Sequence, residues 1–399
     1  MDTKGREALY LRDILKSLGA EVLLMDLSMR NAGQVWRSDI SASETAIAGG
    51  SSLAELTRSR DMTTNMKCMI SGAINITQKM MNEQKVTGII GIGGCTGTLM
   101  ITEVLQALPF GLPKVMVSSA AAQPGLSNQF LKTCDIVLFH SVIEIFGLSD
   151  PVRNVLGRAA HALLGMASNS IAQPVIEKKR AIAMTMMSPC EKCARSIRFA
   201  LEQEGYQVIG FHANGIGDRA MEDMVGAGQF RGVIDLAPGG VGEHLFGFMR
   251  DAGPDRMETA GRMGLPQIIS TCGVNHITPS RSMTKPEYRE RKKYNLDAFR
   301  TWIRMVPKEL SEVSKVFAEK INRSTGPVKV IVPLNGWSSI DSPDNPTYDP
   351  KEDLIFVTEL RNVLRKEIEI IEVGANMEDP EFAGAVLSAA SRLFKTKAL

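Results

Sequence analysis

The stretch of residues 86–105 constrains the fold more than any other part of the chain. It starts with an apolar, strand-like run that ends at Gly93, passes through a turn rich in glycine and threonine, and resumes with helical spacing from Leu99. An apolar run that breaks into glycines and hydroxyl residues before a helical pattern is typical of a strand, a loop and a helix in succession. The stretch therefore predicts a βα unit of an α/β fold.

The turn inside this stretch, Gly93-Gly94-Cys95-Thr96-Gly97-Thr98, has two interpretations. The free N–H groups and the dipole of a helix's first turn favour a bound anion, and glycines let a phosphate approach the backbone. Thr96 and Thr98 can cap the helix or bond the anion. The turn has neither the Walker A Lys-Ser/Thr nor a complete Gly-x-Gly-x-x-Gly, so glycines that serve only helix–strand packing are an equal alternative.

Composition narrows the class of protein. A chain of 399 residues is long enough for two domains, and its 44% hydrophobic and 23% charged residues are typical of a globular protein. The formal net charge of +2 gives no electrostatic reason to expect nucleic acid or an anionic membrane as a partner. No apolar run predicts a membrane span or a signal peptide, and six scattered cysteines suit a reducing compartment. We therefore expect a cytoplasmic protein.

Polar side chains end two further predicted strands of the first half. The runs at residues 114–119 and 135–140 end in a small set of candidate ligand-binding residues, namely Ser118, Ser119, His140 and Ser141. In an open α/β sheet ligands bind beyond the carboxyl ends of the strands, so these side chains are expected near the glycine turn. A helix over residues 5–18 and a strand over residues 21–26 are predicted before them.

A second α/β series follows a polar segment, and we place the domain boundary between residues 172 and 173, giving domains 1–172 and 173–399. Strands are predicted near residues 181–185, 207–212, 232–236, 267–270, 328–333 and 368–373. The stretch of residues 285–323 is predicted to be helical after a basic, aromatic opening. With a nearly neutral chain, that opening favours a solvated helix face over an RNA-binding patch.

Three motifs of the second half carry possible chemistry, each with a structural alternative. His212, followed by Asn214 and Gly215, is a candidate base or ligand donor at a strand end, or a structural histidine. The turn Pro238-Gly239-Gly240 mirrors the first glycine turn and suits a second anionic group, unless packing alone requires it. Cys190 and Cys193 form a redox pair, a nucleophile or, as we favour, structural thiols. No histidine spacing supports a metal site.

Six segments together resemble the tobamovirus-resistance-protein-like ATP-binding family of bacteria and plants. They follow the family's order and lie at residues 2–5, 92–98, 211–222, 253–256, 333–336 and 348–350. The resemblance implies an α/β protein with two consecutive Rossmann-like domains, mostly parallel sheets, an interdomain cleft that holds ATP with or without magnesium, and a homodimer. It also implies a ligand role for Asp2, Thr3 and Lys4, which otherwise suit a helix N-cap and a solvated lysine. The family's usual first strand, ahead of these residues, has no counterpart.

The leading hypothesis from the sequence is therefore a cytoplasmic, homodimeric protein that binds ATP or a related small anion at the first glycine turn. The residues leave open whether the nucleotide is hydrolysed, transferred or only bound. An enzyme that acts on a small carboxylate or sugar acid in the same cleft is the first alternative. A non-catalytic interaction module is the second, which the resemblance implies through a plant relative that sequesters a viral protein.

Overall fold

The computed structural model describes residues 3–29, 36–168 and 176–394. The chain divides into two compact units, Met1–Pro174 and Val175–Leu399, which we call the N-terminal and C-terminal units. Both are α/β structures with a parallel sheet, which confirms the predicted fold class. Each unit is described by itself below.

The N-terminal unit contains a three-stranded parallel sheet and helices of very different length. Its helices are α1 (Gly5–Ser17), α2 (Ala42–Ala48), α3 (Leu53–Arg58), α4 (Met62–Asn82), α5 (Cys95–Gln106), α6 (Ser127–Leu131) and α7 (Asp150–Ala167). Its strands are β1 (Ile89–Gly93), β2 (Lys114–Ser118) and β3 (Val137–His140), in the spatial order β1-β2-β3. The register places Gly93, Ser118 and His140 at one level across the sheet. The polar strand ends therefore share one edge, as expected for parallel strands.

The side chains of β2 alternate between two hydrophobic clusters. Val115 and Val117 pack with residues of α1 and α7, whereas Met116 packs with Leu105 at the end of α5. This alternation is the period-two pattern of a strand that is covered on both faces. The central strand β2 is buried throughout and thereby fixes the start of α5 against the end of β1.

The strand predicted over residues 21–26 is wrong. The segment makes one isolated parallel bridge, between Met25 and Ile40. Its backbone is bonded instead to the chain that precedes α2: the Leu24 N–H donates to the Asp39 carboxylate at 2.8 Å, and the Asp26 N–H donates to the Ile40 carbonyl at 2.9 Å. An apolar run can satisfy its backbone in this way without joining the sheet.

The C-terminal unit contains a six-stranded parallel sheet and a small antiparallel sheet. Its helices are α8 (Glu191–Gln203), α9 (Ile216–Gly226), α10 (Gly240–Phe246), α11 (Thr259–Arg262), α12 (Pro307–Asn322), α13 (Pro350–Val363) and α14 (Pro380–Phe394). The strands of the large sheet are β4 (Ala181–Met186), β5 (Gln207–His212), β6 (Gly232–Asp235), β7 (Gln267–Ile269), β11 (Val328–Pro333) and β12 (Glu369–Val373). The small sheet contains β8 (His276–Ile277), β9 (Lys293–Asn295) and β10 (Thr301–Arg304).

The strand order of the large sheet is β5-β4-β6-β7-β11-β12. The chain leaves β4 toward one side to form β5 and then returns to the other side to form β6. This order creates a topological switch point at β4, and ligands of open α/β sheets bind beyond the carboxyl ends of the strands at such a point. Helices α8 and α14 pack on one face of the sheet, while α12 and α13 pack on the other.

The single helix predicted over residues 285–323 is wrong in its first half. The helix begins at Pro307, a favoured first-turn residue. Before it lie a 3₁₀ turn at Pro286–Arg289 and the strands β9 and β10, which pair with each other in antiparallel fashion. Trp302 and Ile303 of β10 are buried, and such aromatic and β-branched residues favour a strand over a helix.

Candidate functional site

The turn between β1 and α5 leaves the first helical residues accessible. Helix α5 starts at Cys95, directly after Gly94, and no side chain caps it. Cys95 and Thr96 are exposed, while Gly94 and Gly97 are half-buried. The first-turn N–H groups of an α-helix have no partner within the helix, so this uncapped start offers donors and partial positive charge to an anion.

The two glycines before α5 serve different purposes. A methyl group on Gly93 would lie 2.9 Å from the carbonyl carbon of Gly97, so Gly93 is required for close strand–helix packing. A methyl group on Gly94 would have Ser119 Oγ as its nearest neighbour, at 3.9 Å. Gly94 is also extended, with φ −82°, a conformation that any residue adopts. Packing therefore explains Gly93, whereas Gly94 leaves open space beside the helix start.

Thr98 and Ser118 form a buried hydroxyl pair beneath this turn. Their side-chain oxygens lie 2.6 Å apart, and both residues are fully buried. Thr98 donates its hydroxyl hydrogen to the Gly94 carbonyl at 2.7 Å, while Ser118 Oγ accepts the Ala120 N–H at 3.0 Å. These bonds tie α5 to β2. Thr98 and Ser118, both predicted site residues, thus stabilise the turn from its buried side. Thr96 is the threonine of the turn that is exposed.

Lys4 and Ser119 both donate hydrogen bonds to the carboxylate of Glu144, a residue that the sequence analysis missed. Lys4 Nζ donates to Glu144 Oε1 at 2.7 Å and to the Ile145 carbonyl, and the Ser119 hydroxyl donates to Glu144 Oε2 at 2.9 Å. The hydrogen bond from Lys4, followed by that from Ser119, lowers the pKa of Glu144 below its ordinary value. Because Glu144 lies in a loop without a recognisable motif, only the pairing with Lys4 reveals it.

The other predicted site residues of this unit lie in the loop after β3, at the end of β3 and before α1. Ser141 donates its N–H to the Ser118 carbonyl at 3.0 Å and its hydroxyl to the Ile143 carbonyl at 2.6 Å, so it shapes the loop after β3. His140 is exposed at the end of β3, and Thr3 is exposed in the turn before α1. Asp2 lies outside the described residues.

In the C-terminal unit, His212 and Asn214 line a cavity of about 310 Å³ beside the carboxyl ends of β4 and β5. Ser188 lines it after β4, and Arg300 and Trp302 line it from the turn between β9 and β10 and from β10 itself. His212 is exposed, with Nδ1 3.4 Å from the Met186 carbonyl oxygen. The cavity is thus at the kind of sheet position where α/β proteins bind ligands.

Packing and backbone conformation account for the three candidate site glycines of the second half, Gly215, Gly239 and Gly240. A methyl group on Gly239 would lie 2.3 Å from the Gly273 carbonyl oxygen, and one on Gly240 would lie 2.5 Å from Ala252 Cβ. Pro238 is buried with them. Gly215 has φ +93°, a left-handed conformation that glycine adopts readily, and its N–H donates to Asp218 at 2.8 Å. The structure provides a physical reason for each glycine without a ligand.

The cysteine pair at the start of α8 is buried. Cys190, Cys193 and the nearby Cys272 are free thiols with at most 1% exposure. Burial raises the pKa of Cys193, and a hydrogen bond with Cys190, together with burial, raises that of Cys272. A raised pKa disfavours the reactive thiolate, so the geometry favours the structural interpretation of these thiols.

Basic side chains of the segment before α12 form contacts with other side chains of the C-terminal unit. Arg291 donates to both carboxylate oxygens of Glu309, at 2.7 and 3.1 Å, and its guanidinium lies 4.7 Å from the ring centroid of Tyr288. Lys285 lies 5.8 Å from the same ring, and Tyr288 itself is buried. The Tyr288 ring is therefore covered and is not open to a stacked base.

Membrane-spanning helices and metal-ligand clusters are both absent from residues 3–29, 36–168 and 176–394, the ranges that the structure describes. No helix in these ranges is both long and apolar enough to cross a membrane. In the same ranges, no group of three or more His, Cys, Asp or Glu side chains is placed to hold a metal ion.

Comparisons with known proteins cover nearly the whole chain. Models of the N-terminal and C-terminal domains of the Uncharacterised protein family (UPF0261) match residues 1–172 and 179–394. A UPF0261 protein of Clostridium tetani is 33% identical over 97% of this chain and 95% of its own length, and one of Brucella suis is 30% identical over 98% and 93%.

A plant protein is similar over a smaller share of its length. The ToMV resistance protein Tm-1(GCR237) of Solanum lycopersicum is 30% identical over 77% of this chain and 41% of its own length. The resemblance to the tobamovirus-resistance-protein-like family is thereby confirmed. Both domain models and the bacterial relatives agree: the chain belongs to the UPF0261 family.

Proposed function

We propose that the N-terminal unit binds a nucleotide, with ATP as the leading candidate, through its phosphates at the start of α5. The observation that carries this proposal is the uncapped helix start beside Gly94, where an added methyl group would find no atom closer than 3.9 Å. A phosphate bound there accepts the first-turn N–H groups and lies at the positive end of a 12-residue helix.

Neighbouring groups support the same proposal. Ser119 Oγ lies beside Gly94 and can turn its hydroxyl from Glu144 toward a bound anion. Lys4 neutralises Glu144, which removes a repulsive charge next to the phosphate. Magnesium, where it accompanies ATP, would find a carboxylate ligand in Glu144. The role of Lys4 is then indirect: its removal is expected to weaken ATP binding by exposing the carboxylate.

The proposal is tested by filling the space beside Gly94. Gly94→Ala and Gly94→Val keep the extended backbone but place carbon atoms where the phosphate would approach. We expect the affinity for ATP, measured by isothermal titration calorimetry, to fall at least tenfold in Gly94→Val and less in Gly94→Ala. Affinity should also fall in the order ATP, ADP, AMP, with adenosine weakest, because the phosphates make the proposed contacts.

Gly165→Val is the matched control, since an added methyl group on this exposed glycine of α7 meets no atom within 4 Å. The control should bind ATP as the unmodified protein does. Unchanged affinity in Gly94→Val, or no binding of ATP by the unmodified protein, would reject the proposal.

A homodimer is proposed for the same unit. The loop that follows β3 exposes three large apolar side chains, Val142 at 79%, Ile143 at 37% and Phe146 at 84%. Val142 also has φ +67°, a strained value for a β-branched residue. Exposed apolar side chains on a strained loop are more typical of a contact surface than of a surface that stays in water.

A further inference from the structure

The cavity of the C-terminal unit has a distinctive wall. Two arginines and a histidine are among its lining residues, and none of the described residues that line it is acidic. Methionine, leucine, alanine and tryptophan side chains form much of the rest. Such a wall combines donors for an anion with apolar surface for the body of a molecule, which is the usual composition of a small-molecule site.

Arg250 is held in place through Nε, which donates to the Thr278 hydroxyl at 3.4 Å, and through Nη2. Its Nη2 donates to Glu243 Oε1 at 2.8 Å, and its guanidinium carbon lies 4.6 Å from the centroid of the Trp302 ring. Its Nη1, by contrast, has the thioether of Met187 as its partner among the described residues, at 3.8 Å. Since a thioether is a weak acceptor, the Nη1 group of a fixed guanidinium is available to an oxygen ligand.

Arg300 faces the same cavity from the turn between β9 and β10. It pairs with Asp297, with Nη2 2.6 Å from the carboxylate, and its side chain is 52% exposed. Asp297 itself does not line the cavity. His212 and Asn214 add further polar groups at the end of β5. The cavity therefore has one buried and one adjustable guanidinium.

We propose that this cavity binds a small organic acid through its carboxylate, which contacts Arg250 and Arg300 while the body of the molecule lies against Trp302. Nε and Nη2 of both arginines are bonded to protein oxygens, whereas Nη1 of each has no oxygen acceptor among the described residues, so each can donate one charge-assisted hydrogen bond to a carboxylate oxygen. The ligand goes beyond the nucleotide of the proposed function, and it is held by different residues in the other unit.

Charge and volume favour a single carboxylate over a polyphosphate. Glu243 compensates the charge of Arg250, and Asp297 compensates that of Arg300. The net positive charge near the cavity is therefore small, and a ligand with several negative charges would lack partners. The volume of about 310 Å³ is at the lower end of the range for ligand cavities.

The test uses the full chain and four acids that each carry one carboxylate and differ in body: propionate, pyruvate, lactate and gluconate. Binding is measured by calorimetry and thermal shift at constant ionic strength, with phosphate and ATP as comparison ligands. Met249→Trp, at a lining residue that is 49% exposed, obstructs the cavity, and Arg300→Gln removes one guanidinium. We expect at least one acid to bind, with its dissociation constant raised at least tenfold in both variants.

Matched controls are Met263→Trp, at a methionine that is 46% exposed outside the cavity, and Arg289→Gln, at an exposed arginine that does not line it. Both should bind the acid normally, as should Gly94→Val, which separates this site from the nucleotide site. The proposal is overturned if none of the four acids binds, if binding survives in Arg300→Gln and Met249→Trp, or if phosphate or ATP binds more tightly than the acids at the same residues.

Discussion

At the scale of single residues, buried charges organise the C-terminal unit. Arg256 is fully buried and donates to Asp218 at 2.8 Å and to both oxygens of Asp235 at 2.5 and 2.7 Å. Asp218 in turn accepts the Gly215 N–H at the start of α9. One guanidinium thus connects the end of β6 with the first turn of α9.

Removal of Arg256 should be strongly destabilising. Arg256→Met leaves buried carboxylates without their partner, and we expect the free energy of unfolding to fall by about 3–5 kcal/mol. Arg262→Met is the control, because Arg262 makes its ion pairs at 53% exposure and should contribute less than about 1 kcal/mol. Urea unfolding followed by circular dichroism measures both. Similar losses in the free energy of unfolding of the two variants would contradict the prediction that the buried ion pairs of Arg256 contribute more than exposed ones.

His276 should make stability depend on pH. Burial, reinforced by the charges of Arg304 and Arg250, lowers its pKa well below the ordinary 6.5, so the folded protein keeps it neutral. The unfolded chain binds a proton below about pH 6.5, hence stability is present above that pH and is lost as the pH falls. We expect a loss of about 1 kcal/mol between pH 6.5 and 5.5 from this residue.

The measurement is urea unfolding over that pH range in the unmodified protein, His276→Gln and His161→Gln. His276→Gln should flatten the pH dependence even if it lowers stability at every pH. His161 is exposed on α7, and its replacement should leave the slope as it is. An unaltered slope in His276→Gln would contradict the prediction.

At the scale of elements, the sequence predicted what depends on local periodicity. The strand, turn and helix around Gly94 and the six strands of the large sheet were predicted because buried parallel strands are continuous apolar runs bounded by turn residues. The prediction of a strand over residues 21–26 rested on the same rule and was wrong, since an apolar run alone does not show which backbone it will pair with.

The site was less predictable than the fold because long-range contacts define it. Thr98 and Ser118 were correctly brought together, yet their mutual hydrogen bond could not be inferred from their separation in the chain. Arg300 and Trp302 were missed because the basic residues around them favoured a helix. Only pairing between β9 and β10 turns these two side chains toward the cavity.

At the scale of the molecule, each unit has a core of its own. The three hydrophobic clusters of the N-terminal unit draw their buried members from residues 11–163, and those of the C-terminal unit draw theirs from residues 181–394. Helices cover both faces of each parallel sheet. A self-contained core allows a unit to present its own ligand site and its own contact surface.

The proposed homodimer yields a prediction at this scale. Phe146→Ser removes the most exposed large apolar side chain of the loop after β3, and we expect it to shift the mass in solution from dimer toward monomer. Size-exclusion chromatography with light scattering measures the mass over a range of concentrations. Phe199→Ser, at a phenylalanine of α8 that is 65% exposed, should not alter it. A monomeric unmodified protein, or a Phe146→Ser dimer of equal stability, would argue against this surface.

The antiparallel sheet β8-β10-β9 enters the chain between β7 and α12 and is separate from the parallel sheet. Four of the eleven described residues that line the cavity, namely Thr278, Leu296, Arg300 and Trp302, thus come from one contiguous insertion, while the other seven belong to the scaffold. During divergence, substitutions between residues 278 and 300 can alter what is recognised while the inherited strands and their register stay the same. Relatives that differ in this insertion are therefore expected to differ in ligand preference before they differ in fold.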